Sequence, residues 1–149
     1  MYSKDQVFVD SNVIVGFFSC DSKAVEVLDS LSNCILCIND VVFSEVAYKL
    51  MVLKFLERNE KFRLHALRKD ISDYVHVYEI LWEFTSRAEM EVLQINEKII
   101  AEAVEIGIKY ELLPNDALIA ATCKHYGIKR IATFDEDFKR VEFLDVVEV

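Results

Sequence analysis

The sequence predicts an α/β fold, a three-layer α/β/α sandwich around a mainly parallel sheet of about five strands. Three observations lead there. Short apolar runs rich in Val, Ile and Phe alternate with stretches of helical length, the pattern of strands joined by helical crossovers. Those runs are apolar at successive rather than alternate positions, as expected of strands covered on both faces. Only three Gly and one Pro occur in 149 residues, 53% of them hydrophobic, which leaves little chain for long linkers.

Each element follows from its residues. Gln6 to Val9 is an apolar run ending at Asp10 and reads as the first strand. Ser11 to Phe18 starts a helix, with Ser11 or Asn12 available as its cap. From Lys23 to Leu31, Ala24, Val27, Leu28 and Leu31 share one helical face. Cys34 to Ile38 is the second strand. Asn39-Asp40 then caps a helix from Val41 to about Arg58, which carries Glu45 in its early turns. Lys61 to Met90, free of Gly and Pro, holds two further helices, the second from Ile71 to about Ala88. Val92 to Ile95 is the third strand, and Glu97 to Tyr110 a helix with Ile99, Ile100, Ala103 and Ile106 facing inward. Pro114 ends that segment and introduces a helix from Asp116 to Tyr126, closed by Gly127. Lys129 to Thr133 and Leu144 to Val147 complete the sheet. Length and the lack of repeats predict one domain over residues 1–149, with a helical segment around 57–89.

Composition narrows the function. A net charge of −9 speaks against a protein that coats nucleic acid. It leaves open one that binds through metal ions and a local basic patch. Between Lys54 and Lys69 lie six basic residues (Lys54, Arg58, Lys61, Arg63, Arg68, Lys69) against Glu57 and Glu60. The plain reading of that stretch is a solvated helix face. No apolar run approaches the ~20 residues of a membrane span, so no membrane is expected. Asp5 and Asp10 interrupt any leader-like apolar run, so a cytoplasmic location is expected. The four cysteines read as buried thiols rather than disulfides. Cys34 and Cys37 form a CxxC, but on a strand they point to opposite faces, and the three histidines offer no second half of a zinc site.

Three carboxylates stand where a carboxylate is costly. Asp10 is the only charge between Asp5 and Asp21, Glu45 between Asp40 and Lys49, and Asp116 between Glu111 and Lys124. Buried without partners, such groups cost several kcal/mol, and no Lys or Arg lies within these stretches. Asp10 follows the first strand, and Asp135 comes just after the fourth. Glu45 is early in the helix after the second strand, and Asp116 opens the helix leading into the fourth. Open parallel sheets gather their sites beyond the carboxyl ends of the strands, so all four acids can converge there. Two carboxylates ~4 Å apart repel by about 4 kcal/mol at an effective dielectric near 20. Such a cluster either protonates or binds cations, and oxygen donors without His or thiolate select Mg²⁺ or Mn²⁺. A pair of such ions suits phosphodiester hydrolysis. Each acid also has a structural reading: Asp10 as a helix cap, Asp116 as a helix-dipole partner, Glu45 as a solvated side chain, Asp135 as part of an acidic turn.

Four segments carry a resemblance. They are Val9-Asp10-Ser11-Asn12-Val13-Ile14, Ser44-Glu45-Val46, Asn115-Asp116-Ala117-Leu118-Ile119-Ala120-Ala121-Thr122 and Ala132-Thr133-Phe134-Asp135-Glu136-Asp137-Phe138. In order and spacing, over essentially the whole chain, they resemble a PIN domain. The resemblance implies a metal-dependent endoribonuclease leaving 5′-phosphate and 3′-hydroxyl ends. Asp10, Glu45, Asp116 and Asp135 would be its catalytic and metal-site acids, with Asp137 a further metal acid. Asn12 and Thr133 match small polar positions suited to orienting a ligand. A stand-alone domain of this length is similar to the VapC-type toxins, homodimers held by an antitoxin whose tail reaches the acidic site. The segment around 57–89 looks long for the smallest of these, and the family uses the region as a clamp or dimer surface. Lys54, Arg58 and Arg63 are therefore candidate contacts to RNA phosphates, while Trp82 with Leu81 and Phe84 reads as core or dimer interface.

Other readings of the same acids exist. A PIN-type nuclease could serve RNA maturation or decay, or the fold could be an inactive binding module, although all four acid positions are filled. An aspartyl phosphoryl-transfer protein also places an Asp after its first strand. It commonly wants a second acid beside that Asp and a lysine after a late strand, and here Ser-Asn follows Asp10.

Overall fold

Strand β1 (Gln6–Val9) runs through the middle of the sheet, and its Val7, Phe8 and Val9 are wholly shielded from solvent. A computed structural model describes residues 4–148. The strands are β1, β2 (Ile35–Asn39), β3 (Glu91–Leu93), β4 (Arg130–Ala132) and β5 (Asp145–Val146). Their spatial order is β3-β2-β1-β4-β5, every neighbouring pair is parallel, and the sheet is thus wholly rather than mainly parallel.

Helices α1 (Ser11–Phe18) and α2 (Ser22–Ser30) connect β1 to β2. Helices α3 (Asp40–Leu56), α4 (Leu64–Lys69) and α5 (Val77–Arg87) connect β2 to β3, and α6 (Glu97–Tyr110) and α7 (Pro114–Tyr126) connect β3 to β4. Right-handed crossovers place the first two connections on one face and the third on the other. The packing agrees, with α1 against α2 and α3, and α6 against α7. Ile14, Ile38, Val42, Ile99, Ile119 and Ile131 fill the core between the layers. A second, smaller core of Met51, Phe55, Leu67, Tyr74 and Val77 lies under the 57–89 segment.

The local chemistry explains most boundaries. Asn39 Oδ1 accepts from Val42 N–H at 3.0 Å and caps α3, as expected. Gly127 closes α7 at φ +71°, a conformation that favours glycine. Helix α7 starts at Pro114, in its first turn, rather than at Asp116. Helix α1 is capped by Asp10, not by Ser11 or Asn12, because Asp10 is the last extended residue before it.

Other expectations are corrected. The predicted helix from Ile71 to Ala88 is broken. Ile71–Asp73 forms a 3₁₀ turn and α5 begins only at Val77. Ser72, Asp73, Tyr74, Val75 and His76 are all weak helix formers, and the break tucks Tyr74 against Phe55. Strand β3 ends at Leu93 instead of Ile95, since the Ile95 N–H leaves the ladder for Asp40 Oδ1 and Asn96 turns to cap α6. Cys37 and Cys123 are buried, but Cys34 is half-buried and Cys20, at φ +59° beyond α1, is exposed. Leu81 is core and Phe84 packs on Phe17 and Phe18, yet Trp82 turns outward and is 59% exposed. No helix of the described residues is long and apolar enough to cross a membrane.

Candidate functional site

The chain winds from β1 toward β2 and β3, then crosses to β4 on the other side of β1. The crevice of a doubly wound sheet opens where the direction reverses, here between the carboxyl ends of β1 and β4. Val9 pairs with Ala132, so the next residues, Asp10 and Thr133, stand side by side, and Asp10 N–H bonds to Ala132 O at 2.9 Å.

Asp10 is 4% exposed, and both of its oxygens are used. Oδ1 accepts from Ser11 N–H at 2.7 Å and Oδ2 from the Thr133 hydroxyl at 2.7 Å. Burial raises its pKa above the usual carboxylate value, and these two hydrogen bonds oppose the rise. Thr133 Oγ in turn accepts from Asp135 N–H at 3.0 Å and from the Asn12 amide at 3.4 Å. Asn12 Oδ1 accepts from Phe134 N–H at 3.2 Å, so Asn12 staples the loop after β4 to the start of α1. Asn12 and Thr133 therefore sit behind the acids and fix the loop that carries Asp135.

Asp135 caps the 3₁₀ turn Glu136–Arg140 by accepting from Asp137 N–H at 2.9 Å. The turn brings Asp137 onto the same side, where Arg140 donates to its Oδ1 at 2.7 Å. Across the crevice Asp116, in the first turn of α7, completes a group: carboxylate oxygens of Asp116, Asp135 and Asp137 all lie within 4.8 Å of one another. Burial, and then the charges of Asp135, Asp10, Glu45 and Asp137, push Asp116 up to about 7. Half-buried among like charges, it has no cation partner among the described residues. A cluster of hard oxygen donors that repel one another to this degree fits a divalent cation.

Glu45 stands on the rim, and here the sequence reading needs correction. A local cation does exist. Lys49, the residue that bounds the second stretch, is one helical turn away, with its ammonium 3.2 Å from Glu45 Oε1. Asp10 and Glu45 thus share the crevice and add to its negative field, but the converging oxygens are those of Asp116, Asp135 and Asp137. Sequence reasoning missed both Lys49 and Arg140. The i,i+4 and i,i+3 spacings to Glu45 and Asp137 were the available signals.

Two grooves lie beside the acids, one at Glu45 and one at Asp135. One of about 390 Å³ runs past Asp40, Ser44, Glu45, Tyr48 and Asn115, and one of about 490 Å³ past Thr133, Phe134, Asp135 and Lys139. Tyr48 and Phe134 are each about two-fifths exposed there. Lys54, Arg58 and Arg63 do not join the acids. Lys54 is nine residues, about 14 Å, farther along α3, and lines an apolar groove with Phe18, Leu53 and Ile80. None of the six basic residues from Lys54 to Lys69 forms an ion pair among the described residues.

A sequence profile of the PIN domain matches residues 7–144. Ribonuclease VapC6 of Methanocaldococcus jannaschii is 40% identical over 152 residues, covering 98% of this chain and 99% of that protein. Ribonuclease VapC2 of the same organism is 34% identical, covering 98% and 95%. Among solved structures, a toxin–antitoxin complex from Klebsiella pneumoniae superposes with a TM-score of 0.67 at 19% identity, covering 95% of this chain and 96% of that one. Mycobacterium tuberculosis VapC20, described as a Sarcin-Ricin loop cleaving toxin, gives 0.66 at 16% identity, covering 93% and 96%. The wholly parallel sheet, the acids at its switch point and these likenesses agree, and the chain belongs to the PIN domain family.

Proposed function

We infer that this protein is a Mg²⁺- or Mn²⁺-dependent endoribonuclease, and that it serves as the toxin of a toxin–antitoxin pair. The observation that carries the reading is the group of Asp116, Asp135 and Asp137, with Asp116 pushed up to about 7 and lacking a cation partner. These three would hold the ion, with Asp10 and Glu45 completing the negative field of the catalytic site. A divalent ion bound there supplies neutralisation of phosphate charge and activation of water for phosphodiester hydrolysis. Thr133 and Asn12 would keep the Asp135 loop in place while substrate binds. Tyr48 and Phe134, exposed on either side, are suited to stacking against unpaired bases, which favours single-stranded or looped RNA. Lys54, Arg58 and Arg63 would bind phosphates away from the cleavage point.

The toxin role is supported by the names of the curated relatives and by complexes such as VapBC2 of Rickettsia felis and VapBC-1 of Haemophilus influenzae. It carries with it an antitoxin partner, a homodimer and a cytoplasmic location. In this reading residues 1–149 act as one nuclease domain, with the segment around 57–89 available to RNA or to a partner chain. The test is cleavage of structured and single-stranded RNA by metal-stripped protein, with and without Mg²⁺ or Mn²⁺, beside Asp116→Asn. Ion-dependent cleavage that the variant lacks supports the assignment. A folded wild type as inert as the variant in both ions would transfer the case to a binding module.

A further inference from the structure

The two grooves beside the acids differ in charge. The one at Asp135 is lined by five acidic residues, Glu136 among them, against Lys23 and Lys139. Lys139 is itself paired with Glu136 at 2.8 Å, so an RNA backbone entering there meets like charge. The groove at Glu45 holds two acids, and each has a partner. Asp40 accepts from Ile95 N–H at 3.3 Å, and Glu45 lies 3.2 Å from the Lys49 ammonium. Tyr48 lines this groove, is 45% exposed, and meets Phe62 edge to face with ring centroids 6.2 Å apart. Phe62 packs in turn on Phe55 of the smaller core. Its chain neighbours Lys61 and Arg63 are exposed, and neither forms an ion pair among the described residues. The Tyr48–Phe62 contact thus joins the Glu45 groove to the basic stretch. Asn115, the residue before Asp116, lines the same groove and is exposed.

We propose that the Glu45 groove takes the nucleotide beside the cleaved bond, with Tyr48 stacked on its base and the Asn115 amide reading the base edge. The proposal rests on the ribonuclease reading above, and adds which groove the RNA enters and what selects the base. Stacking alone is tolerant of sequence, because every base has a π-face. An amide is not, since its one acceptor oxygen and two donor hydrogens lie in fixed directions. Asn115 adjoins Asp116 in the chain, so the base it reads is held next to the acidic group. Lys61 and Arg63 take phosphates beyond Tyr48, which adds affinity without base preference. Phe134, the other exposed ring, stands at the groove whose acids repel the backbone.

The experiment follows binding of short labelled oligo(A), oligo(C) and oligo(U) by fluorescence anisotropy with Mg²⁺. The parent is full-length Asp116→Asn, which the reading above expects not to cleave. Adding Tyr48→Ala is expected to weaken binding by about tenfold, while Tyr48→Phe and Phe134→Ala each change it by less than about twofold. The parent should prefer one oligomer over another by about fivefold, and Asn115→Ala should erase that preference. Lys61→Gln with Arg63→Gln should weaken all three alike. Circular dichroism checks each fold, and Tyr48→Leu replaces Tyr48→Ala if that variant does not fold. A loss with Phe134→Ala but not with Tyr48→Ala overturns the proposal. So does a preference that survives Asn115→Ala, or a parent that has none. A wild type that cleaves RNA while the parent binds none of the three overturns the proposal alone. A wild type inert toward RNA in both Mg²⁺ and Mn²⁺ overturns the ribonuclease reading beneath it.

Discussion

The Thr133 hydroxyl donates a 2.7 Å hydrogen bond to Asp10 Oδ2 across the seam between β1 and β4. Thr133 Oγ also accepts from Asp135 N–H, so one hydroxyl both satisfies a buried carboxylate and sets the loop bearing Asp135 and Asp137. Thr133→Val keeps the shape and removes both functions. It should cost about 1–3 kcal/mol, the usual penalty for orphaning a buried polar group, and weaken Mn²⁺ binding as the loop shifts. Thr133→Ser should recover most of each. Urea midpoints and Mn²⁺ titrations of the two variants check this, and a Thr133→Val with both values unchanged would contradict it.

Asp116 makes the site pH-sensitive. Burial and the surrounding acids raise it from 3.8 to about 7, so the folded chain holds this proton more tightly than the unfolded chain. For the metal-free protein, the contribution is full at low pH and declines as pH rises from 3.8 toward 7. Ion affinity should run the opposite way, because the ion must displace that proton. It should rise by up to about tenfold per pH unit below 7 and level off above. Melting curves with EDTA and with Mn²⁺, across about pH 5 to 8, should therefore diverge as pH increases.

Helices α1 and α2 meet at Gly16. A Cβ built there would lie 2.8 Å from Ala24 Cβ, too close for real atoms. Gly16→Ala should therefore destabilise by about 1–3 kcal/mol, despite the ~1 kcal/mol that alanine gains in a helix. At Gly107 the equivalent contact is 3.3 Å, to Ala117 Cβ, and Gly107→Ala should be close to neutral. Thermal denaturation of the pair separates crowding from propensity.

The basic stretch can be tested without disturbing the fold. Replacing Lys54, Arg58 and Arg63 together by Gln removes no ion pair of the described residues, so the melting temperature should hold. If the three contact phosphates, RNA affinity should fall and the slope of log K against log salt should shrink by about 2, at roughly 0.7 per single-strand contact. An unchanged slope would return the stretch to the role of a solvated face.

Much of this was legible in the chain. Asp10 and Asp116 stood out because each was the lone charge in an apolar stretch, and both lie at the crevice. Alternating strands and helices were visible because each strand is short and apolar throughout. Where the reading stopped short, the information was spatial. Lys49 closes on Glu45 only once α3 is wound, and Asp137 joins Asp116 and Asp135 only through the 3₁₀ turn that Asp135 caps. The break at Tyr74 reflects a ring drawn into a second core, and Trp82 faces outward because its neighbours Leu81 and Phe84 take the inward directions. Periodicity alone does not distinguish those choices.

Asp10 and its hydroxyl partner are 123 residues apart, and this has a consequence for synthesis on the ribosome. Until β4 has emerged, β1 lacks one neighbour, and Asp10 lacks the donor that makes its burial tolerable. Every growing chain thus passes through a long stage in which the N-terminal half is made but the crevice has no second wall. Contacts of such separation also close slowly, after local helices have formed. A chain that stops before β4 has neither the hydroxyl that holds Asp10 nor Asp135 and Asp137, so it should not assemble the acidic group.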